Sequence, residues 1–523
     1  MFKKFLTRKT KILNFEIADW VILVAGIIVF VAISLWTITK PSIWFDEAFS
    51  AYLVNFNFLE IAKFTASDVH PPFYYWLLKI WVMFFGNSEL ALRSMSLLFA
   101  SISIIFSYLL AIKLFNKKAA RISLIFLVLS PMLVRYSQEA RMYALVSAIA
   151  LAATYVLTIA VNSKKRLPWI IYGILISVGM WTQYFTAIIW LAHWVWRAGV
   201  IRKIAQKGKF IKTFFSKQWI MAHVIAIVLY VPWMVYFARQ LLWLQKSDFW
   251  IPKVTPDTLT GFISNTVYYK DINEVTGWFA VGLIAAIAIM SFLAIRVYKN
   301  LDDSKKQSYQ LVASLAFAPV ILLFAMSLPP LRPVFVDRYL IASSVGIALF
   351  IGVTLSYLGK LVQFKKQLIL VIMMAGLMAY GVTNVWQMGN YNKTTKSSND
   401  TRQIVNLIAE NSDDNQPIIA DTPYFFCEVF YYSTVVHPVY FIETGSFKSI
   451  ESLNYYYKPE IKTKDLAAFE KSNQIFWYVG YSQEGKLDKP YSNWIPLKEL
   501  QVKDTVSGKT IYRAIQYRAE VTN

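Results

Sequence analysis

The sequence predicts a polytopic α-helical membrane protein of about eleven spans, N-terminus inside, with a small extracytoplasmic α/β domain at its C-terminal end. Three observations predict it. Of the 523 residues, 57% are hydrophobic and 16% charged. Apolar runs of about twenty residues recur as far as residue 386 and then cease. The formal net charge of +22 is confined to alternate short loops.

The segments 1–16, 113–121, 164–166, 197–217, 296–306 and 360–366, with Asp19, hold 26 Lys and Arg against 4 Asp and Glu. The rest of the chain carries 27 of each, so the whole excess lies in these segments. That is the positive-inside pattern of a bilayer protein. It makes membrane lipids the expected partners and leaves no call for nucleic acid.

Spans are expected near 18–38, 90–112, 119–134, 140–161, 219–237, 277–296, 309–328, 339–359 and 367–386. A hairpin in 168–197 is too short for two full-length spans at about 1.5 Å per residue. Basic segments flank it on both sides, so its crossing number is even and the total is nine or eleven. The first span is long, with no small-residue cleavage site soon after it, and reads as an anchor. Its polarity puts the loop 39–89 outside, together with loops near 238–276 and 328–339. Within the first of these, 70–86 is apolar but rich in Tyr and Trp and opens on Pro71-Pro72, so it reads as a helix lying in the outer interface.

The domains expected are therefore a membrane domain over 1–390 and an extracytoplasmic α/β domain over 391–523. In the latter, Thr401–Asn411 has helical periodicity, while 417–420, 436–442, 475–479 and 510–516 read as strands. No Gly-rich phosphate loop is present there. The single cysteine, Cys427, excludes internal disulfides and multi-cysteine metal sites, and reads as a small buried hydrophobe.

Two groups of ionisable residues stand out. After the first span comes Trp44-Phe45-Asp46-Glu47-Ala48, and then Asp68-Val69-His70-Pro71-Pro72-Phe73-Tyr74-Tyr75. Charges at a bilayer rim are costly to desolvate, which makes such a cluster a candidate site. A merely solvated acidic loop would not need the flanking aromatics and prolines. Adjacent carboxylates diverge on any regular backbone, so Asp46 is the candidate general base and Glu47 its orienting neighbour. Asp68 and His70 could hold a divalent cation with Asp46, although their spacing is no specific metal motif; His70 could equally cap the helix that follows. The second group is Arg93, Arg135, Arg141 and Arg338, all near the outer boundary. Guanidinium groups stay charged when buried and bind phosphate bidentately; the plainer role is snorkelling to headgroups.

As an ordered set these residues resemble the C-type (GT-C) glycosyltransferase superfamily. The resemblance rests on the aromatic-Asp-Glu loop, the Asp-x-His-Pro-Pro-x-Tyr-Tyr segment, Ser137-Gln138-Glu139-Ala140-Arg141-Met142-Tyr143 and Arg338-Tyr339-Leu340. Within the superfamily the chain is similar, over roughly residues 15–390, to the bacterial branch related to protein O-mannosyltransferases (PMT) and aminoarabinose transferases. It lacks the long acceptor-binding signature of oligosaccharyltransferases. The resemblance implies an inverting transferase of the plasma membrane that uses a polyprenyl-phosphate sugar outside the cytoplasm. It places the catalytic carboxylate at Asp46, Glu47 beside it, and donor phosphate contacts at Arg141 and Arg338. Asp68 and His70 match the pattern and would assist the acceptor or a metal. The acceptor would be a glycolipid, envelope polysaccharide or protein. Competing functions are a flippase for a lipid-linked glycan, which should show internal repeats that are not found, and a non-catalytic membrane sensor.

Overall fold

The structure, a computed structural model, describes residues 16–204, 208–246, 251–270, 275–388, 401–413, 415–433, 437–443, 458–481, 490–503 and 508–520. Outside these lie parts of the second outward loop (247–250 and 271–274), Val436 of an expected strand, and 389–400 at the expected start of the C-terminal domain. The chain forms two compact units. One comprises Met1–Trp36, His70–Tyr74 and Arg93–Trp386; the other comprises Thr37–Val69, Tyr75–Leu92 and Gln387–Asn523.

Among the described residues eight helices are long and apolar enough to cross a membrane: Ile17–Leu35, Glu89–Leu114, Tyr143–Ala160, Lys217–Leu242, Trp278–Lys299, Asp303–Ala325, Asp337–Leu358 and Phe364–Gln387. The chain is an integral membrane protein. The span expected over 119–134 is broken into Lys117–Val128 and Pro131–Tyr136. Pro131 is the cause, since it offers no N–H to the preceding turn and suits the first position of a new helix. The hairpin consists of Leu167–Thr182 and Thr186–Ile204. Its turn reaches the start of a neighbouring span, where the Phe185 ring stacks on Tyr339 at 4.4 Å.

Close helix contacts in the first unit depend on small residues. A Cβ on Gly352 would lie 2.3 Å from the Ser123 Cα, and one on Gly173 would lie 2.4 Å from the Ala222 carbonyl oxygen. Polar groups buried in this unit find partners. Asp19 is fully buried and bridges Lys117 at 2.9 Å and Arg121 at 2.8 Å, tying the first span to the 117–128 helix. His193 lies between the hydroxyls of Tyr172 and Thr154, each at 2.9 Å. His223 takes the Trp194 indole N–H at 2.9 Å on Nε2 and lies 2.8 Å through Nδ1 from the Trp219 carbonyl. Both imidazoles are satisfied by hydrogen bonds, as befits helix–helix packing.

In the second unit six strands form one sheet: β1 (Ile418–Ala420), β2 (Val439–Ile442), β3 (Glu460–Ile461), β4 (Ile475–Tyr481), β5 (Trp494–Lys503) and β6 (Thr510–Ala519). The order is β3-β2-β1-β4-β6-β5, with β3, β2, β1 and β4 parallel and β6 and β5 antiparallel. Helix Pro423–Tyr432 makes the β1–β2 crossover, opened by Thr422, whose hydroxyl accepts the Phe425 N–H. Ile419, Phe476, Trp494 and Tyr517 are among the core residues. Most of the loop 39–89, all but 70–74, belongs to this same unit. Its helix Phe45–Leu53 lies on Pro423–Tyr432, with Phe45 against Tyr424 at 4.9 Å and Tyr52 against Phe430 at 5.5 Å. The Ile43 N–H donates to the Tyr432 hydroxyl at 2.7 Å. Beyond it, Phe58–Ser67 starts on an Asn57/Glu60 capping box. In Phe73–Phe85, Lys79 donates to the Val54 carbonyl at 2.9 Å, while Met83, Phe84 and Phe85 remain exposed.

Asp421, just after β1, accepts the Tyr481 N–H at 3.2 Å, yet burial pushes its pKa up from 3.8 to about 6. The folded unit thus holds a proton that the unfolded chain releases near 3.8. Its stability should fall as pH rises through that window, from 3.8 to about 6, and stay at the lower level above it. Asp421→Asn removes the titration, so the variant should be the more stable at pH 7, with its advantage vanishing toward pH 4. The fully buried Cys427 thiol reports on this directly through its labelling rate in variant and wild type at each pH. A rate ratio independent of pH would refute the assignment.

Candidate functional site

The four arginines come from different parts of the chain and are all buried in the first unit. The loop 137–142, between Pro131–Tyr136 and Tyr143–Ala160, organises them. It is held by Ser137, whose hydroxyl bonds Ser34 Oγ at 3.0 Å, and by Gln138, whose amide donates to the Val134 carbonyl at 3.2 Å. Ser96, one turn beyond Arg93, donates to the Glu139 carbonyl at 2.6 Å, with the Arg141 carbonyl at 3.3 Å. This holds the start of the helix that carries Arg93 against the loop that carries Arg141. Arg135 lies 4.0 Å from the Glu139 carboxylate. Arg338 comes in on a short 3-10 turn, Asp337–Leu340, its guanidinium 5.8 Å from the Tyr143 ring centre and 6.0 Å from that of Tyr339. Buried guanidinium forks in this density can hold a multiply charged oxyanion.

His70 belongs to the same unit, and Arg141 Nη2 lies 3.4 Å from its Nε2. Because a guanidinium can only donate, Nε2 is the acceptor. His70 is thus a neighbour of the arginines. Among the described residues no three His, Cys, Asp or Glu side chains are disposed to hold a metal ion. The cation expected on Asp46, Asp68 and His70 finds no such set.

Asp46 and Glu47 occupy the first turn of Phe45–Leu53 in the second unit, where acidic groups face the positive end of the helix dipole. Glu47 is buried and Asp46 half-buried. Ser50 donates to the Asp46 carbonyl at 2.8 Å, bracing that turn. Asp68 terminates Phe58–Ser67 in the same unit, its N–H bonded back to Phe64 and Thr65. A cavity of about 410 Å³ opens beside the Phe45–Leu53 helix, lined by Ala48, Tyr52, Asn55, Tyr431 and His437 among others. Glu139, Tyr143 and Tyr339 were not singled out from the sequence as site residues, although the runs containing them were. Only their placement next to the arginines gives them a role.

The fold is shared with solved structures of ArnT and of an oligosaccharyltransferase. Residues 69–236 match the family model described as dolichyl-phosphate-mannose-protein mannosyltransferase. The structure is similar to the crystal structure of ArnT from Cupriavidus metallidurans in the apo state, at 12% identity and a TM-score of 0.61, covering 95% of this chain and 98% of that one. For the same protein bound to undecaprenyl phosphate the identity is 12% and the TM-score 0.58, with 96% and 99% covered. The Archaeoglobus fulgidus oligosaccharyltransferase in the apo form is similar at 11% identity and a TM-score of 0.51, over 88% of this chain and 69% of that one. No curated protein matches the chain in sequence.

Proposed function

We propose that the protein is an inverting glycosyltransferase that moves a sugar from a polyprenyl-phosphate donor to an acceptor outside the cytoplasm. The observation that carries this reading is the set of four buried arginines, Arg93, Arg135, Arg141 and Arg338, gathered at one end of the helices of this fold. That arrangement suits a lipid phosphate whose tail lies in the bilayer. The ArnT structure bound to undecaprenyl phosphate supports the same ligand class. In the reaction the acceptor hydroxyl attacks the anomeric carbon as the bond from that carbon to the phosphate oxygen breaks. Asp46 takes the hydroxyl proton, and the arginines stabilise the departing lipid phosphate. The acceptor would be a glycan, lipid or protein, and within the second unit the cavity beside the Asp46 helix lies within the usual size range of ligand sites, about 300–1,000 Å³.

The topology we infer has eleven crossings, N-terminus inside and the 391–523 domain outside. Added to the eight long helices, the broken pair 117–136 makes nine, and the hairpin helices, which reach Tyr339, make eleven. The positive-inside charge pattern sets the orientation. The exposed Met83, Phe84 and Phe85 support an interfacial position for the 70–86 helix. Purified protein incubated in detergent with a panel of radiolabelled polyprenyl-phosphate sugars and cell-envelope acceptors should release the bare polyprenyl phosphate. Transbilayer movement of the labelled lipid in proteoliposomes without such release would favour a flippase and overturn the reading.

A further inference from the structure

The hairpin turn holds an amide that the fold does not use. Gln183 follows the Leu167–Thr182 helix and is only 3% exposed, yet neither Oε1 nor Nε2 meets a partner. Leaving buried polar atoms unmet costs on the order of 1–3 kcal/mol each, and an apolar side chain of the same shape would avoid it. Its turn is nonetheless firmly built. The Gln183 N–H bonds the Gly179 carbonyl at 2.9 Å. Its own carbonyl takes the Thr186 hydroxyl at 2.7 Å. The adjacent Tyr184 hydroxyl bonds Gln240 and receives the Trp233 indole N–H at 2.8 Å.

The position of this amide matters. Helix Tyr143–Ala160 starts beside Arg141, and Leu167–Thr182 returns along it, so Gln183 lies at the arginine end of the pair. Phe185, two residues on, stacks on Tyr339, the neighbour of Arg338. Three serines at that same end share the condition of Gln183. Ser147, in the second turn of Tyr143–Ala160, and Ser343 and Ser344, in the first turn of Ile341–Leu358, are fully buried with unpartnered hydroxyls. Other buried hydroxyls return to the carbonyl one turn back, as Ser107 does to Ser103 at 2.8 Å and Thr154 to Ala150 at 2.7 Å, although Ser130 and Ser177 are unmet as well. Unmet groups on three elements beside one anion-binding cluster indicate a ligand that supplies donors and acceptors together.

Building on the proposed function, we propose that Gln183 is a specificity-determining residue that binds the sugar of the donor, and that this sugar is uncharged. The amide oxygen would accept from one sugar hydroxyl and the amide nitrogen donate to its neighbour, with the serines completing the set. Amide and hydroxyl groups carry no charge to balance an ammonium or carboxylate on a buried sugar, which selects a neutral glycosyl group.

The test compares three probes, bare undecaprenyl phosphate and undecaprenyl phosphate bearing a glucosyl or a mannosyl group, on wild type and Gln183→Met. Wild type should bind a glycosylated lipid more tightly than the bare one. The variant should weaken that binding about tenfold or more, leave the bare lipid within about twofold, and melt at the same or a higher temperature. Equal weakening for all three probes together with a lowered melting temperature would mean that Gln183 only packs. Unchanged binding of both glycosylated probes would likewise overturn the assignment. If wild type binds neither bare nor glycosylated lipid, the transferase reading itself fails. If bare lipid binds in an Arg141-dependent way but Gln183 proves irrelevant, only this inference fails.

Discussion

Asp46→Asn is expected to lower turnover by about 10²-fold or more while leaving donor affinity within about twofold, since a positioned general base supplies that much. Asn keeps the shape of the side chain and loses its ability to take a proton. The helix should survive the change. Its start is held by Ser50 on the Asp46 carbonyl and by the Phe45 and Tyr52 rings on Pro423–Tyr432, none of which involves the carboxylate. Glu47→Gln gives a useful contrast. Glu47 is buried, so its substitution should register first in melting temperature. Near-wild-type turnover in Asp46→Asn would remove Asp46 as the base and make Asp68 the next carboxylate to test.

Arg141→Ala should weaken donor binding by about tenfold to a hundredfold, because a charge-assisted contact to a phosphate is worth roughly 1.5–3 kcal/mol. Arg141→Lys should recover only part of the loss, since an ammonium lacks the planar fork. The loop should stay in place in either variant, because Ser96 holds it through main-chain carbonyls. Arg141→Met controls for packing by keeping much of the stem. Should Met restore binding as well as Lys does, the side chain packs or snorkels, and the phosphate reading loses its strongest member. Binding of bare undecaprenyl phosphate is the right measurement, because it isolates the phosphate from sugar and acceptor.

The sequence by itself determined the membrane class and the approximate spans, and it carries the proposed sidedness, because hydropathy and loop charge are properties of consecutive residues. It also placed β1, β4 and most of β6, whose alternation is local, and it pointed to Asp46 and the arginines through residue type and spacing. β5 went unread because, apart from Trp494 and Val502, nearly all its side chains are exposed or half-exposed, so it lacks an apolar face to signal a strand. Tertiary structure alone decided what no local pattern encodes. Ser96, one turn beyond Arg93, meets the Arg141 carbonyl, and Arg338 lies over Tyr143, two residues after Arg141; these contacts join separate helices. The acidic loop packs with the C-terminal sheet, almost four hundred residues away along the chain, because Phe45 and Tyr52 find their apolar partners on Pro423–Tyr432. The placement of the 167–204 hairpin turn, and with it the burial of Gln183, depends on Phe185 meeting Tyr339. The physical reason is common to all three. A side chain's type is written in the chain, but the partner that satisfies or strands it is chosen only when distant elements pack.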